Sequence, residues 1–356
     1  MAERSNCMSI SYLARANSCT GLENFLSTNL CGIKKIYCIN SFSDYLKSVF
    51  IGRVSGFCEK HSSNIEYIIS PFDKEEYDGL ILRDKSIAII NSDCITDKNK
   101  FDINSVQLDS CIKDFSFCDK YKILRSKIDE KYNSIYELYK EAKTVHDRWE
   151  DVYISNMDMD MLNSFCNDTL EKIFLSSSAQ NNGIRYDRFL GGAFKDGNID
   201  CISNLTGDLS KRYFIKGRPG TGKSTFLKKI VKKSLELGYE TEVYHCGFDA
   251  LSLDMVVIRD MSLCIFDSTS PHEKFPENEN DEILDFYKNS GLLGVDEREE
   301  KILSVIKNNY SQLMSKARLI MGEAYSIQDE LKNISESFVD YEIFNNLVYG
   351  VLNNLY

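Results

Sequence analysis

One stretch of the sequence has the residue types and the spacing of a phosphate-binding loop. Residues Gly217–Ser224 read GRPGTGKS and match the pattern GxxxxGK[ST]. Glycines let the backbone approach a ligand closely, so that its N–H groups can point at phosphate oxygens. An apolar run precedes the stretch and a helical pattern follows it, which is the context that this loop requires. The sequence therefore predicts a site for a nucleoside triphosphate with Mg²⁺.

Each position of this loop has an expected role. Lys223 is expected to reach the β- and γ-phosphates and to act in catalysis, Ser224 to give its hydroxyl to Mg²⁺, and Thr225 to bond a phosphate further back. The N-terminus of the following helix adds N–H groups and a dipole that favour an anion. The residues expected to bind the nucleotide are Gly217, Arg218, Pro219, Gly220, Thr221, Gly222, Lys223, Ser224 and Thr225.

A site of this kind also needs an acidic residue at the end of a strand, where it holds Mg²⁺ through water. Asp267 follows the apolar run 263–266 and is the expected metal-binding and catalytic residue. Many ATPases have a glutamate directly after this aspartate, but this chain has Ser268 there. The residue that activates water must then lie elsewhere, and the catalytic candidates are Glu273 and His272.

Further charged residues are weaker candidates for the same site. Asp249 and Asp254 also lie at the ends of predicted strands and could approach the metal, with Asp249 the stronger of the two. Phosphoryl transfer can also use an arginine from elsewhere in the chain or from a second subunit. Arg185, Arg188 and Arg318 are candidates for that role, although no pattern singles them out.

The chain contains an internal repeat. Residues 35–92 align with residues 211–268 without a gap, at an offset of 176 positions, and share 15 identities in 58 positions. Unrelated sequences of average composition would share about 3 or 4. A second stretch aligns at an offset of 182 positions, where Ala142 corresponds to Ala324. The chain is therefore predicted to be two copies of one unit.

The repeat predicts the domain organisation. The boundary is expected near the polar stretch 176–183. The first domain, residues 1–178, is then a degenerate P-loop-like domain without a working phosphate loop. The second, residues 179–356, is the active P-loop NTPase domain with a C-terminal helical region.

The first copy serves as a control within the chain. Its counterpart of the loop, Ser41–Ser48, keeps the lysine and the serine but has no glycine. Asp44 puts a carboxylate where phosphate would lie, Leu46 adds a Cβ at a close approach, and Asn91 replaces the metal-binding aspartate. We predict that this copy does not bind nucleotide. Residues kept in both copies, among them Asp254, are expected to serve the fold.

The elements that position these residues follow one order in both copies. In the second copy, a short strand leads into the loop, a helix follows, and three further β-rich runs come before a charged helical region over about 281–335. This order predicts an α/β fold of two tandem P-loop NTPase-like three-layer units with largely parallel sheets. Each unit is followed by a long helical region, which we interpret as a helical hairpin or cap against the sheet.

Composition excludes several classes of protein. The 356 residues are 43% hydrophobic and 27% charged, a globular balance with enough length for about two domains. No apolar run spans a membrane and no signal peptide is evident, so we expect a cytoplasmic protein with no membrane contact. The net charge of −11 disfavours nucleic acid as a partner. None of the 12 cysteines forms a CxxC pair, so we expect reduced thiols and no zinc site.

The segments RYFIKGRPGTGKSTFLKKI, YHCGFDALSLDMVVI and CIFDSTSPHEKFP resemble those of a little-characterised bacterial family of tandem P-loop ATP-binding proteins. The resemblance covers nearly the whole chain and is strongest over residues 185–280. Members of this family have two P-loop units and can keep the glycines in both, from which the first copy of this chain departs. The resemblance implies ATP binding and hydrolysis but no particular substrate or pathway.

Three functions agree with these observations. The first is a Mg²⁺-dependent ATPase, in which hydrolysis at the single site of the second copy moves the helical regions. The second is a P-loop kinase that transfers the γ-phosphate to a small molecule held by the polar loop 267–273. The third is a non-catalytic, nucleotide-dependent scaffold whose helical regions bind a protein partner. The sequence does not predict the oligomeric state, and the pattern alone does not distinguish ATP from GTP.

Overall fold

A computed structural model describes residues 9–62, 64–97, 101–175, 177 and 182–355, so most of the predicted boundary stretch lies outside the described residues. The fold is α/β. The strands are β1 (Ile10–Leu13), β2 (Arg15–Ser18), β3 (Gly21–Asn24), β4 (Lys35–Asn40), β5 (Ile65–Ile69), β6 (Tyr77–Leu82), β7 (Ile87–Asn91), β8 (Ile103–Gln107), β9 (Ile184–Phe189), β10 (Gly191–Phe194), β11 (Gly197–Asp200), β12 (Lys211–Lys216), β13 (Glu240–His245), β14 (Leu253–Ile258), β15 (Leu263–Asp267) and β16 (Glu282–Asp285).

The α-helices differ widely in length, and two of them are far longer than the rest. The helices are α1 (Leu26–Asn29), α2 (Asp44–Cys58), α3 (Cys118–Ile154), α4 (Met159–Phe174), α5 (Ile202–Thr206), α6 (Lys223–Glu236), α7 (Val295–Arg298), α8 (Glu300–Ser337) and α9 (Tyr341–Leu352). The 37 residues of α3 extend over about 55 Å. Among the described residues, no helix combines the length and the apolar composition needed to cross a bilayer.

Twelve of the strands form one mixed sheet. Their order is β16-β12-β15-β14-β13-β9-β1-β5-β6-β7-β4-β8. Six neighbouring pairs in this sheet are parallel and five are antiparallel. The short connections 83–86 and 259–262 explain two of the antiparallel pairs, because a connection of four residues is too short to cross over to a parallel strand. The sheet is therefore mixed and mostly parallel, and the antiparallel pairs made by β6 and β14 are the part that the sequence pattern did not predict.

The two ends of the sheet are built in the same way. Read from β8 or from β16 towards the middle, the strands follow in corresponding order. All corresponding strands except β8 and β16 stand at the offset of the sequence repeat. The two series meet where β1 and β9 pair antiparallel through Leu13 and Phe189, which lie 176 positions apart. Below, the first half denotes the strands from β1 to β8 and the second half those from β9 to β16.

The helices after the strands pack across the two halves. Helices α3 and α8 lie against each other, with Ala142 and Ala324 fully buried between them. Helix α9 packs on the first half, where Phe344 contacts Phe50 of α2 with ring centroids 5.8 Å apart. Helix α4 packs on the second half, where Phe165 lies 5.4 Å from Phe286. A cut near residue 178 would therefore separate the strands of the two halves. It would also leave α4 in the fragment with the first half and α9 in the fragment with the second half, each apart from the strands on which it packs.

The opposite face of the sheet has a core of its own. Along β4 the side chains alternate, so that Ile36 and Cys38 enter this core while Tyr37 and Ile39 enter the one beneath the long helices. Short elements cover this face, among them the small helices α1 and α5. The core on this face runs under both halves and joins them into one structure.

A buried ion cluster holds the centre of the sheet. Arg188 of β9 is 1% exposed, and its guanidinium lies 3.1 Å from Glu66 of the first half and 3.1 Å from Glu242 of the second. Tyr12 donates to Glu66 and Tyr244 to Glu242, each at 2.7 Å. Arg188 also donates to Asn29 Oδ1 at 2.8 Å, so it links the two halves electrostatically from within the buried centre of the sheet.

Candidate functional site

The glycine-rich loop connects β12 to α6, as its context in the sequence predicts. Gly220 has φ +76° and Gly222 has φ +83°, backbone conformations that favour glycine. Gly222 also forms the N-cap of α6, so the loop runs directly into the helix N-terminus. Thr221 donates its hydroxyl to the Arg218 carbonyl at 2.8 Å and closes the turn. The loop thus ends at a helix N-terminus, a position that favours an anion.

Lys223 lies next to the predicted metal-binding aspartate. Its Nζ donates to the Arg218 carbonyl at 2.8 Å and lies 3.5 Å from Oδ2 of Asp267. The two residues meet because β12 and β15 are parallel neighbours, paired through Ile215 and Asp267 at their carboxyl ends. An ammonium and a carboxylate thus face each other beside a helix N-terminus, the arrangement that a phosphate with a divalent cation would need.

The hydroxyls near this lysine have different partners. Ser224 Oγ accepts a hydrogen bond from the Leu253 backbone N–H at 2.9 Å, which places it between α6 and the start of β14. Asp267 Oδ1 accepts from the N–H and the hydroxyl of Thr269, at 3.0 and 2.6 Å. Thr225, by contrast, is exposed on α6. These bonds orient Ser224 and Asp267 and leave Asp267 Oδ2 towards Lys223.

Asp254 lies beside Asp267 on the neighbouring strand. The antiparallel pairing of Met255 with Phe266 puts the two aspartates next to each other at the ends of β14 and β15. Burial and the charge of Asp267 together raise the pKa of Asp254 to about 6. Carboxylate and hydroxyl oxygens are the ligands that Mg²⁺ prefers, so Asp254, Asp267 and Ser224 fit the cation that the loop implies.

The corresponding position of the first half is neutralised by the protein itself. Asp78, the counterpart of Asp254, accepts two hydrogen bonds from the guanidinium of Arg15, at 2.7 and 2.8 Å. The residue at the offset of Arg15 is Gly191, which has no side chain to offer Asp254. Asp78 and Asp254 are equivalent in the sequence repeat but differ in the structure, because Arg15 neutralises Asp78 and Gly191 leaves Asp254 without such a partner.

The lysine of the degenerate loop is neutralised in the same way. Lys47 is buried and lies 2.8 Å from Asp44 and 2.6 Å from Asp93. Asp44, which the sequence predicts to oppose phosphate, thus takes the place of an anionic ligand. This arrangement gives the physical reason for expecting no nucleotide in the first half.

Replacing Asp254 with asparagine is expected to stabilise the protein at alkaline pH. Because the folded pKa lies above the ordinary value, ionisation costs folding free energy as the pH rises from about 4 through 6. The neutral amide removes this cost, so the free energy of unfolding should rise by about 1–3 kcal/mol at pH 8 and change little at pH 4. Urea unfolding in EDTA at both pH values measures the difference.

The first half provides the matched control for this experiment. Asp78→Asn leaves Arg15 without its bidentate partner and is expected to destabilise the protein at pH 8. Equal effects of the two substitutions at pH 8 would contradict the contrast between the two halves.

His272 and Glu273 lie in different surroundings. His272 Nδ1 is 3.4 Å from Asp200 Oδ2, and its Nε2 is 3.9 Å from Asp254 Oδ2. Burial lowers the pKa of His272, but the hydrogen bond to Asp200 and the charge of Asp254 raise it overall. Glu273 is more than half exposed and lies 3.6 Å from Nζ of Lys216, the last residue of β12. His272 is thus brought to the carboxylates, whereas Glu273 pairs with the lysine before the loop.

Two of the three arginines proposed from the sequence are paired with residues outside the loop. Arg188 belongs to the central cluster, Arg185 pairs with Asp187 at 2.7 Å, and Arg318 is exposed on α8. Arg218 of the loop itself is held by Asp296 of α7 at 2.7 Å. None of the recorded contacts of Arg185 and Arg188 includes the loop.

Residues of the first copy reach the loop of the second. Glu150, on α3, contacts Gly220, and Lys143 Nζ lies 3.6 Å from Asp249 Oδ2. Sequence reasoning did not include this helix in the site, because periodicity describes its apolar face but not its partner. The repeat held a signal, since the residue 182 positions after Glu150 is Lys332, of opposite charge.

No protein-family model, curated protein or solved structure matches this chain. The resemblance to tandem P-loop proteins therefore stays a prediction from the quoted segments, and the functional conclusion depends on the geometry of the site.

Proposed function

We propose that this protein binds ATP with Mg²⁺ at Gly217–Thr225 and hydrolyses it. The observation that carries the proposal is the position of Lys223, whose Nζ lies 3.5 Å from Asp267 where two parallel strands end beside a helix N-terminus. When bound, Mg²⁺ would neutralise charge on the phosphates. Ser224, Asp267 and Asp254 would hold it, and the loop N–H groups would bind the phosphates.

We further propose that the chain is a duplicated P-loop unit with one working site. The support is the corresponding strand order of the two halves and the common offset of 176 positions. In the first unit, the ion pairs of Lys47 and of Arg15 take the place of ligand and cation. One ATP per chain is the expected stoichiometry.

The test compares the same lysine in both halves. Lys223→Met is expected to lower Mg²⁺-dependent phosphate release at least about a hundredfold, because the side chain that reaches the γ-phosphate is lost. Lys47→Met removes the corresponding lysine of the first half and should leave turnover of the folded protein unchanged. Calorimetry with an ATP analogue gives the stoichiometry, and circular dichroism confirms that both variants fold.

Each alternative function has its own result in this experiment. Absence of ATP binding at millimolar concentration would contradict the proposal as a whole. Tight binding without turnover would favour a nucleotide-dependent scaffold. Phosphate transfer that depends on an added acceptor would favour a kinase, for which the polar loop after Asp267 is the expected acceptor site.

A further inference from the structure

The long helix α3, which belongs to the first copy, covers the phosphate loop of the second copy. A Cβ built on Gly220 would lie 2.7 Å from the carbonyl oxygen of Glu150 and 2.9 Å from its Cα. A Cβ on Gly222 would lie 3.1 Å from Cδ2 of Leu162, on α4. Two consecutive helices of the first copy therefore form a wall of this site, and glycines allow them to approach so closely.

Glu150 brings a carboxylate into this wall. Burial raises its pKa, and the charges of Asp147 and Asp249 add to the rise, while Lys143 and Lys223 oppose it. Glu150 is therefore a carboxylate with a raised pKa that interacts electrostatically with Lys223. Such a group is suited to accept a proton near neutral pH.

The partner nearest to this carboxylate leaves it free to react. His146 Nδ1 lies 3.7 Å from Glu150 Oε1, beyond hydrogen-bond distance. Burial and Lys143 lower the pKa of His146, so the ring is neutral at pH 7. His146 Nδ1 is buried and has no hydrogen-bond partner in the described structure. Glu150 is therefore not neutralised by this neighbour, in contrast to the paired carboxylates of the first half.

The other half of the molecule shows the opposite arrangement. Lys332 of α8 stands 182 positions after Glu150 and lies 2.6 Å from Asp73 and 3.1 Å from Glu76. Asp73 is the counterpart of Asp249 in the repeat. At this aligned position, the helix that covers the glycine-rich loop thus has a carboxylate, whereas the helix that covers the other half has a cation paired with Asp73 and Glu76.

We propose that Glu150 is the catalytic base of the second-half site, supplied by the first copy. This inference rests on the proposed ATPase function. Ser268, which occupies the usual position of the base, is fully buried and donates its hydroxyl to the Lys274 carbonyl at 2.7 Å, so it is not available for this role.

The reaction is the attack of a water molecule on the γ-phosphate of ATP, with Glu150 as the proton acceptor. The oxygen of a water molecule forms a bond to the γ-phosphorus while the bond from that phosphorus to the β–γ bridging oxygen breaks. Glu150 accepts a proton of the water and later releases it to solvent, and ADP carries away the electron pair of the broken bond. Lys223 and the loop N–H groups stabilise the charge on the transferred phosphoryl group.

The experiment separates turnover from binding in the full-length protein. Glu150→Gln is expected to lower kcat for phosphate release at least about a hundredfold, the typical contribution of a general base. The dissociation constant of a non-hydrolysable ATP analogue should change by less than about threefold, because the amide keeps the size of the side chain. Asp151→Asn, the adjacent and exposed charge on α3, is the matched control and should keep full turnover.

Every outcome decides the assignment. Unchanged kcat in the Glu150→Gln variant would overturn it, as would a loss of kcat matched by an equal loss of affinity, which would make Glu150 a binding residue. If the wild-type protein binds ATP without hydrolysing it, both the base and the hydrolysis are wrong. If the wild-type protein hydrolyses ATP and the Glu150→Gln variant keeps the same turnover, the proposed function stands and the base lies elsewhere.

Discussion

Replacing Arg188 with methionine is expected to destabilise the protein by about 3–5 kcal/mol, the usual cost of removing one partner from a buried charged group. The guanidinium lies between Glu66 and Glu242, and it also stacks 4.0 Å from the ring of Tyr12. Burial raises the pKa of Glu66, yet Arg188 and Arg83 lower it to about 2, so this carboxylate is ionised throughout the neutral range. Without Arg188, two buried carboxylates would face each other across the junction of the halves.

The control for this prediction lies on the same strand. Arg185→Met removes the exposed partner of Asp187, a carboxylate that also accepts from His245, and is expected to cost no more than about 1 kcal/mol. Urea unfolding followed by circular dichroism measures both changes. A loss below about 1 kcal/mol in the Arg188 variant would show that the remaining arginines of the cluster suffice, and would contradict a central role for Arg188.

Dividing the chain after residue 178 is expected to leave neither fragment stably folded. Fragment 1–178 would expose the face of α4 that packs on the second half, including Leu162 and Phe174. Fragment 179–356 would expose the face of α9 that packs on α2, including Phe344. Each fragment would also lose the partner of its longest helix, and burial of such a face contributes about 25 cal/mol for each Å².

The two fragments together are expected to recover what each lacks. Co-expression should give a stoichiometric complex with one cooperative thermal transition, whereas the separate fragments should aggregate or unfold without one. Size-exclusion chromatography and calorimetry distinguish these cases. A cooperative transition of fragment 179–356 alone would contradict this prediction. ATP hydrolysis by that fragment, which lacks Glu150, would also contradict the assignment of the catalytic base.

Local sequence signals predicted the local parts of the site. The arrangement of β12, the loop and α6 follows from residues that are adjacent in the chain, which is why Lys223 and the glycines lie where the pattern places them. The position of Asp267 follows from a strand of apolar residues that ends in an acid. The sequence did not predict that β14 runs antiparallel to its two neighbours. The apolar pattern of a short strand is the same in either direction.

Contacts between the copies could not be read from the same signals. The periodicity of α3 shows which face of the helix is apolar. It does not show which half of the sheet that face covers, because this depends on how the whole chain folds. In the alignment of the two copies, Asp254 and Asp78 are identical residues. Their identity does not show that, of the two, Asp78 is the one paired with an arginine. That difference appears at Arg15 and Gly191, outside the aligned stretch, and becomes visible only when the fold brings them to the aspartates.

The closed state of the first half has an evolutionary consequence. Its lysine is held by Asp44 and Asp93, and its Asp78 is held by Arg15. Reversion of Ser41 or Leu46 to glycine would leave these ion pairs in place. Asp44 corresponds to Gly220, so its reversion would take one partner from the buried Lys47 and cost stability before any nucleotide could bind. Under the proposed duplication, no isolated step back opens this site without cost, so we expect that single substitutions do not reverse its loss.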